Sequence, residues 1–268
     1  MAPLRPTAIL TRPAGRNTAV AQALRQAGWP VLECPALDIQ SAPIQPARVA
    51  PQPDAFDLVV FVSRAAVAGY QHQLPAGYAW PERVTAACMG PVTAGAVRRT
   101  FGAEVAVLHP TGAASQDSEA LWPLILAQPI LPRNVLILRG QDGREWLSEK
   151  LLDLGVSVTV QQTYQREVAS WPAPLCASLR ELATEGRPAV WLLTSGHGIQ
   201  AIVQKLEALK LLSWFGQSAF VLTHERLQPV LAKALGRELG QLCHAVASPE
   251  DQVIVLCFDQ ISTRLQCT

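Results

Sequence analysis

Apolar residues in this chain fall in short unbroken runs. Each run is closed by turn residues and followed by a longer stretch in which apolar positions recur at helical spacing. "TAILTRP" leads into the helical pattern "NTAVAQALRQAG" and the run "PVLECP". "DLVVFVS" leads into "RAAVAGYQHQL", "VTAACMG" into "PVTAGAVRRTFG", and "EVAVLH" into "SQDSEALWPLIL". "NVLILRG" is followed by "REWLSEKLLDLG" and then by "VSVTVQQTYQ". Beyond Trp171 the alternation resumes with "AVWLLTS" and "HGIQAIVQKLEAL", "SAFVLT" and "RLQPVLAKALG", and "LCHAVA" and "PEDQVIVLCF". A strand with no polar alternation has to be covered on both faces, so the pattern predicts α/β architecture with parallel sheets between helices. Roughly ten such strands exceed what one flavodoxin-sized sheet holds, which predicts two α/β domains.

The two halves also echo each other. "DLVVFVSRAAVAGYQ" aligns with "AVWLLTSGHGIQAIV", which places Ser63 and Ser195 alike at a strand end before a helix. "EVAVLHPTGAASQDSEAL" aligns in the same order with "LCHAVASPEDQVIVL", so two copies of one βα layout are expected. Proline-rich stretches at Pro43–Pro53 and Trp171–Pro174 flank the middle copy. If "PALDIQ" and "QQTYQRE" cross between domains, the first β-α-β unit completes the C-terminal one. The pattern does not force that arrangement.

Composition narrows the function classes. Twenty-two basic residues against twenty-one acidic leave a net charge of +1, without the basic excess of a nucleic-acid surface. An anionic ligand would have to be held by local dipoles and a few arginines. The six cysteines are scattered without a C-x-x-C pair and read as small core residues. No secretory segment follows Met1 and no run is long enough to span a bilayer, which makes a reducing cytoplasm the expected compartment.

Several chemistries fail on spacing. The five histidines show no metal-binding spacing, so no metal is expected. "LTSGHGI" lacks the first glycine of a nucleophile elbow and makes Ser195 a helix cap rather than a nucleophile. Neither glycine-rich nucleotide fingerprint follows any strand. What remains is a set of helix starts at strand C-terminal ends, where free N–H groups favour anions. They are Thr11-Arg12, Ser63-Arg64, Gly90 to Thr93, Arg139-Gly140 with a helix opening at Gly143-Arg144, Ser195-Gly196 to Gly198, and Thr223 to Arg226. Several such starts with arginines would suit a polyanionic ligand. Tyr164 in "QQTYQRE" is one of only three tyrosines, and its phenol is either a proton donor in a water-poor cleft or a packed side chain tied to backbone.

"ILTRPAGRNTAVAQALRQAGWPVLECPALDI", "DLVVFVSRAAV", "MGPVTAGAV", "VLILRGQDGREWLSEKLLDLGVSVTVQQTYQRE" and "LLTSGHGIQAIV" together resemble the uroporphyrinogen-III synthase family, from about Thr7 to Phe258. The resemblance implies two flavodoxin-like (HemD-like) domains joined by a two-stranded linker. One would comprise residues 1–36 plus 168–268 and the other 39–164, with linkers at about 37–38 and 165–167. It implies a monomeric, cofactor-independent lyase of tetrapyrrole biosynthesis acting on hydroxymethylbilane, with the preceding hydroxymethylbilane synthase as a transient partner. It further implies Tyr164 as the acid that helps the ring-A hydroxyl leave. Thr11, Arg12, Ser63, Arg64, Gly90, Thr93, Arg139, Gly140, Gly143, Arg144, Ser195 and Gly196 would meet the acetate and propionate groups. Two departures stand out: the first serine motif reads "VSRAAV", where many relatives have threonine before the serine, and "LTHERLQ" does not repeat the Gly-Pro-x-Thr-Ala of Gly90 to Ala94. The alternative of another class is a non-catalytic two-domain binder of a small polyanion.

Overall fold

The structure is a computed structural model that describes residues 5–42, 50–112, 117–141 and 145–266. In chain order the elements begin with β1 (Thr7–Leu10), α1 (Thr18–Gln26), β2 (Val31–Glu33) and β3 (Leu37–Ser41). There follow β4 (Leu58–Phe61), α2 (Arg64–Gln73), β5 (Thr85–Cys88), α3 (Pro91–Phe101), β6 (Val107–Leu108) and α4 (Ser118–Leu126). Next come β7 (Asn134–Gly140), α5 (Trp146–Asp153), β8 (Ser157–Val168), α6 (Ala173–Thr184) and β9 (Ala189–Leu193). The chain ends with α7 (Gly196–Ala208), α8 (Leu212–Gly216), β10 (Ala219–Leu222), α9 (Leu227–Leu235), β11 (His244–Val246) and α10 (Asp251–Gln266).

These elements form two compact units. One is the continuous stretch Ile39–Arg166, and the other combines the chain up to Asp38 with the chain from Glu167 onward. Both passages of the chain from one unit to the other lie inside strands, β3 and β8. In the discontinuous unit the five strands lie in the order β2-β1-β9-β10-β11, with every pairing parallel. In the continuous unit the order is β3-β8-β7-β4-β5-β6, and the pairings from β8 through β6 are parallel.

The two orders are one pattern. In the first unit, chain order reads as the flavodoxin-like 2-1-3-4-5 arrangement. The second repeats that arrangement with β7 and β8 in the places of the first two strands, although they come last in the chain. This permutation accounts for the echo in the sequence. Ser63 follows β4 and Ser195 follows β9, and both strands hold the third place of the pattern.

Burial explains the unbroken apolar runs. Along β9, Trp191 and Leu193 enter one hydrophobic layer while Val190 and Leu192 enter the layer on the opposite face. Along β4, Val59 and Phe61 face one layer and Leu58 and Val60 the other. Each sheet is therefore sandwiched between helices, as parallel sheets require. Close packing shows at Gly69 in α2, where a Cβ would come within 2.0 Å of the Thr163 carbonyl oxygen on β8.

Two helices are additions to the expected pattern. The segment after Trp171 contains α6, whose only fully buried residue is Leu179, and α8 follows α7 directly. Of the cysteines, Cys34, Cys88 and Cys257 are buried, Cys176 and Cys243 are half-buried, and Cys267 lies outside the described residues. Burial pushes the Cys88 thiol up to about 12, so it stays protonated and inert. Among the described residues, no helix is long and apolar enough to cross a membrane.

Candidate functional site

In an open α/β sheet, ligands gather beyond the strand C-termini where the strand order reverses. In the continuous unit that point lies between β7 and β4. There β7 ends at Arg139-Gly140, and its ladder with β8 carries a register shift between Arg139 and Gly140, so that Gly140 lies opposite Tyr164. A bulge of this kind re-aims the side chains beside it. The Tyr164 ring fills the space a side chain at Gly140 would need. A Cβ there would stand 2.7 Å from Cε2 and 2.8 Å from Cζ of the ring, so glycine is required by packing.

Tyr164 is only 6% exposed and forms part of the hydrophobic layer with Phe61, Tyr70 and Leu138. It also borders a cavity of about 260 Å³ lined by Ser63, Asp117, Arg139, Ser148 and Arg166, with Met89, Ile137 and Leu147 as apolar walls. The Tyr164 hydroxyl makes no hydrogen bond among the described residues. The other two tyrosines are tied down. The Tyr70 hydroxyl donates to the Pro51 carbonyl at 2.5 Å, and that of Tyr78 donates to Asp54 Oδ2 at 2.6 Å. Burial, then the Asp54 contact, pushes Tyr78 up to about 12, and burial raises Tyr70 well above its ordinary value. Of the two readings of Tyr164 open from sequence, the packed ring is observed, and among the described residues no backbone group holds its hydroxyl.

The rest of the cavity wall is rich in donors. Ser63 caps α2, its Oγ accepting from the Ala66 N–H at 3.3 Å, which leaves the hydroxyl proton to donate elsewhere. Ser148 on α5 is 6% exposed, and its hydroxyl also lacks a partner among the described residues. The Arg139 guanidinium bonds Glu145 Oε1 at 2.5 Å and is mostly buried. Asp117 is the one carboxylate among the lining residues, and its Oδ1 caps α4 by accepting from the Ala120 N–H at 3.0 Å. One acid against two arginines and four hydroxyl-bearing residues, Ser118 being the fourth, suits an anion.

The equivalent place in the discontinuous unit lies between β1 and β9. Its polar groups are already engaged. The Thr11 hydroxyl donates to the Leu192 carbonyl. Arg12 pairs with Asp251 Oδ1 at 2.6 Å and donates to the Pro249 carbonyl at 2.8 Å. Ser195 caps α7, with Oγ accepting from the Gly198 N–H at 3.0 Å, and the half-buried Gly196 opens that helix.

The other expected site residues stand apart from the cavity. Arg64 is exposed at the start of α2. Gly90 is the buried N-cap of α3, where Thr93 is 9% exposed. At Thr223 to Arg226, His224 Nδ1 accepts from the Arg226 N–H at 3.1 Å. Gly143 and Arg144 lie outside the described residues, and α5 is described from Trp146 onward. Among the described residues no cluster of histidine, cysteine and acid side chains could hold a metal ion. Sequence reading missed Arg166, Ser148 and Asp117. For Arg166 the signal was available, because residues two apart on a strand share a face and Tyr164 was already singled out.

A family model described as Uroporphyrinogen-III synthase HemD matches residues 18–238. The chain belongs to that family. It is similar to the uroporphyrinogen-III synthase of Escherichia coli (strain K12), with 29% identity across 92% of this chain and 97% of the relative. The likeness to the Salmonella typhimurium enzyme of the same name is 28% over the same shares. Among solved structures it is similar to the uroporphyrinogen-III synthetase of Helicobacter pylori 26695, with a TM-score of 0.59 and 14% identity, covering 98% of this chain and all of that one. A mutant uroporphyrinogen III synthase from the extremely thermophilic bacterium Thermus thermophilus gives a TM-score of 0.51 at 14% identity, covering 96% of this chain and 99% of that one. At that identity the solved structures speak for the two-domain α/β fold alone. Family membership favours the enzyme over the non-catalytic binder.

Proposed function

We propose that this protein cyclises hydroxymethylbilane to uroporphyrinogen III, as a lyase that needs no cofactor. Closure of the linear tetrapyrrole releases one water and changes no oxidation state, so proton transfer and positioning are sufficient chemistry. Tyr164 donates its phenolic proton to the departing ring-A hydroxyl, the C–O bond breaks, and water and an azafulvene result. Ring D attacks through its substituted carbon to give a spiro intermediate. That intermediate fragments and recloses with ring D inverted, and the proton lost as ring D regains aromaticity restores the phenol. The observation that carries this reading is the buried Tyr164 ring at a donor-rich cavity on the topological switch point, its hydroxyl without a hydrogen-bond partner among the described residues.

Arg139, Ser63 and Gly140 belong to the same cavity and are proposed to receive carboxylate from the acetate and propionate side chains. In the other unit, the first-turn amides of α1 and α7 remain candidate carboxylate seats, since the Thr11 and Arg12 side chains are engaged. Bilane closes without ring inversion in water alone, so holding the chain folded for the spiro attack is the larger part of catalysis. The test is an assay on freshly generated hydroxymethylbilane, with isomers separated by chromatography. Isomer III above the blank is expected, and isomer I alone would overturn the proposal.

A further inference from the structure

Arg166 is the cavity group that nothing yet explains. It is the residue two beyond Tyr164 on β8, so both side chains leave the same face of the strand. Its guanidinium carbon lies over the Tyr164 ring, 5.8 Å from the centroid, and it lines the same cavity. Yet it makes no ion pair and no hydrogen bond among the described residues. The neighbouring acids are otherwise occupied: Glu145 holds Arg139, and Asp117 caps α4. Among the described residues Arg166 is thus a cation with no partner for its five donors, lying over the ring of the one tyrosine whose hydroxyl also has none.

We propose that Arg166 anchors a carboxylate of the substrate beside Tyr164, with the planar guanidinium gripping one acetate or propionate bidentately. This rests on the activity proposed above and adds a residue to it. A fork laid against an aromatic ring is pre-organised, because the cation–π contact fixes its plane before the ligand arrives. Arg139 is the weaker candidate for the same carboxylate, because an incoming anion would have to displace Glu145 at 2.5 Å. A carboxylate pinned two strand positions from the phenol also selects which pyrrole ring meets Tyr164. The inference therefore concerns placement of the leaving hydroxyl as well as affinity.

Arg166→Ala and Arg166→Lys, assayed on freshly generated hydroxymethylbilane beside the parent chain, decide the matter. Arg166 is exposed, so both variants should melt with the parent. Losing a charge-assisted hydrogen-bond pair predicts that KM for isomer III formation rises about tenfold in Arg166→Ala while kcat falls less. Lysine keeps the charge without the fork and should recover part of that loss. A KM within about twofold of the parent, with the parent making isomer III, would overturn the anchor and leave the activity standing. A fall in kcat at unchanged KM would also overturn it, by giving Arg166 only the task of bracing the ring. Isomer I alone from the parent chain would remove the activity and the anchor with it.

Discussion

The two units repeat one strand order, and their switch points begin from similar sequence, "AILTRPAGR" in one and "LILRGQDGR" in the other. Both hold an arginine in an ion pair, Arg12 with Asp251 and Arg139 with Glu145, and the difference lies in the groups around it. In the discontinuous unit, Arg12 is clamped by Asp251 and the Pro249 carbonyl, and the Thr11 hydroxyl is spent on the Leu192 carbonyl. That point serves the fold by fastening the start of α10 to the end of β1. In the continuous unit the corresponding strand end carries glycine, which admits the Tyr164 ring, and the hydroxyls of Tyr164 and Ser148 and the Arg166 guanidinium remain unspent among the described residues. The same topology therefore yields a stitched joint in one unit and a ligand-ready cavity in the other. The difference comes from whether a partner lies in reach.

The comparison breaks most readily at Gly140. Gly140→Ala puts a methyl 2.7 Å from the tyrosine ring, so the ring must leave its place. The expected result is loss of isomer III formation by about a hundredfold or more, with about 1–3 kcal/mol lost in denaturant unfolding, the usual cost of overpacking. Activity close to the parent's would mean that the placement of the ring is irrelevant. Arg12→Ala sharpens the other side. Removing a half-screened ion pair should cost about 1 kcal/mol in the same unfolding measurement, with turnover within about twofold. A KM shift as large as that expected for Arg166→Ala would show that the clamp opens to meet substrate and that the two switch points are alike after all.

Much of the fold was legible because covering a sheet on both faces leaves no polar alternation, as the runs at Leu58–Phe61 and Ala189–Leu193 show. The equivalence of Ser63 and Ser195 was legible too, since both cap a helix through the same i+3 amide. The permutation behind that equivalence was not, because sequence order does not reveal which strands become neighbours. Helix α6 escaped notice because it buries only Leu179 fully and so carries little periodic signal. The site was legible as a list of helix starts, and that framing hid its asymmetry. Arg12 and Asp251 are 239 residues apart in sequence, a distance no local motif spans. Arg166 was passed over because it lies on a strand, although its spacing from Tyr164 was informative.

The account turns on one hydroxyl. Tyr164→Phe removes a single oxygen from a ring otherwise held by packing, so melting should match the parent chain. Single-turnover conversion of hydroxymethylbilane to isomer III should slow by about a hundredfold, in line with the loss of a general acid. Unchanged single-turnover conversion would contradict the account.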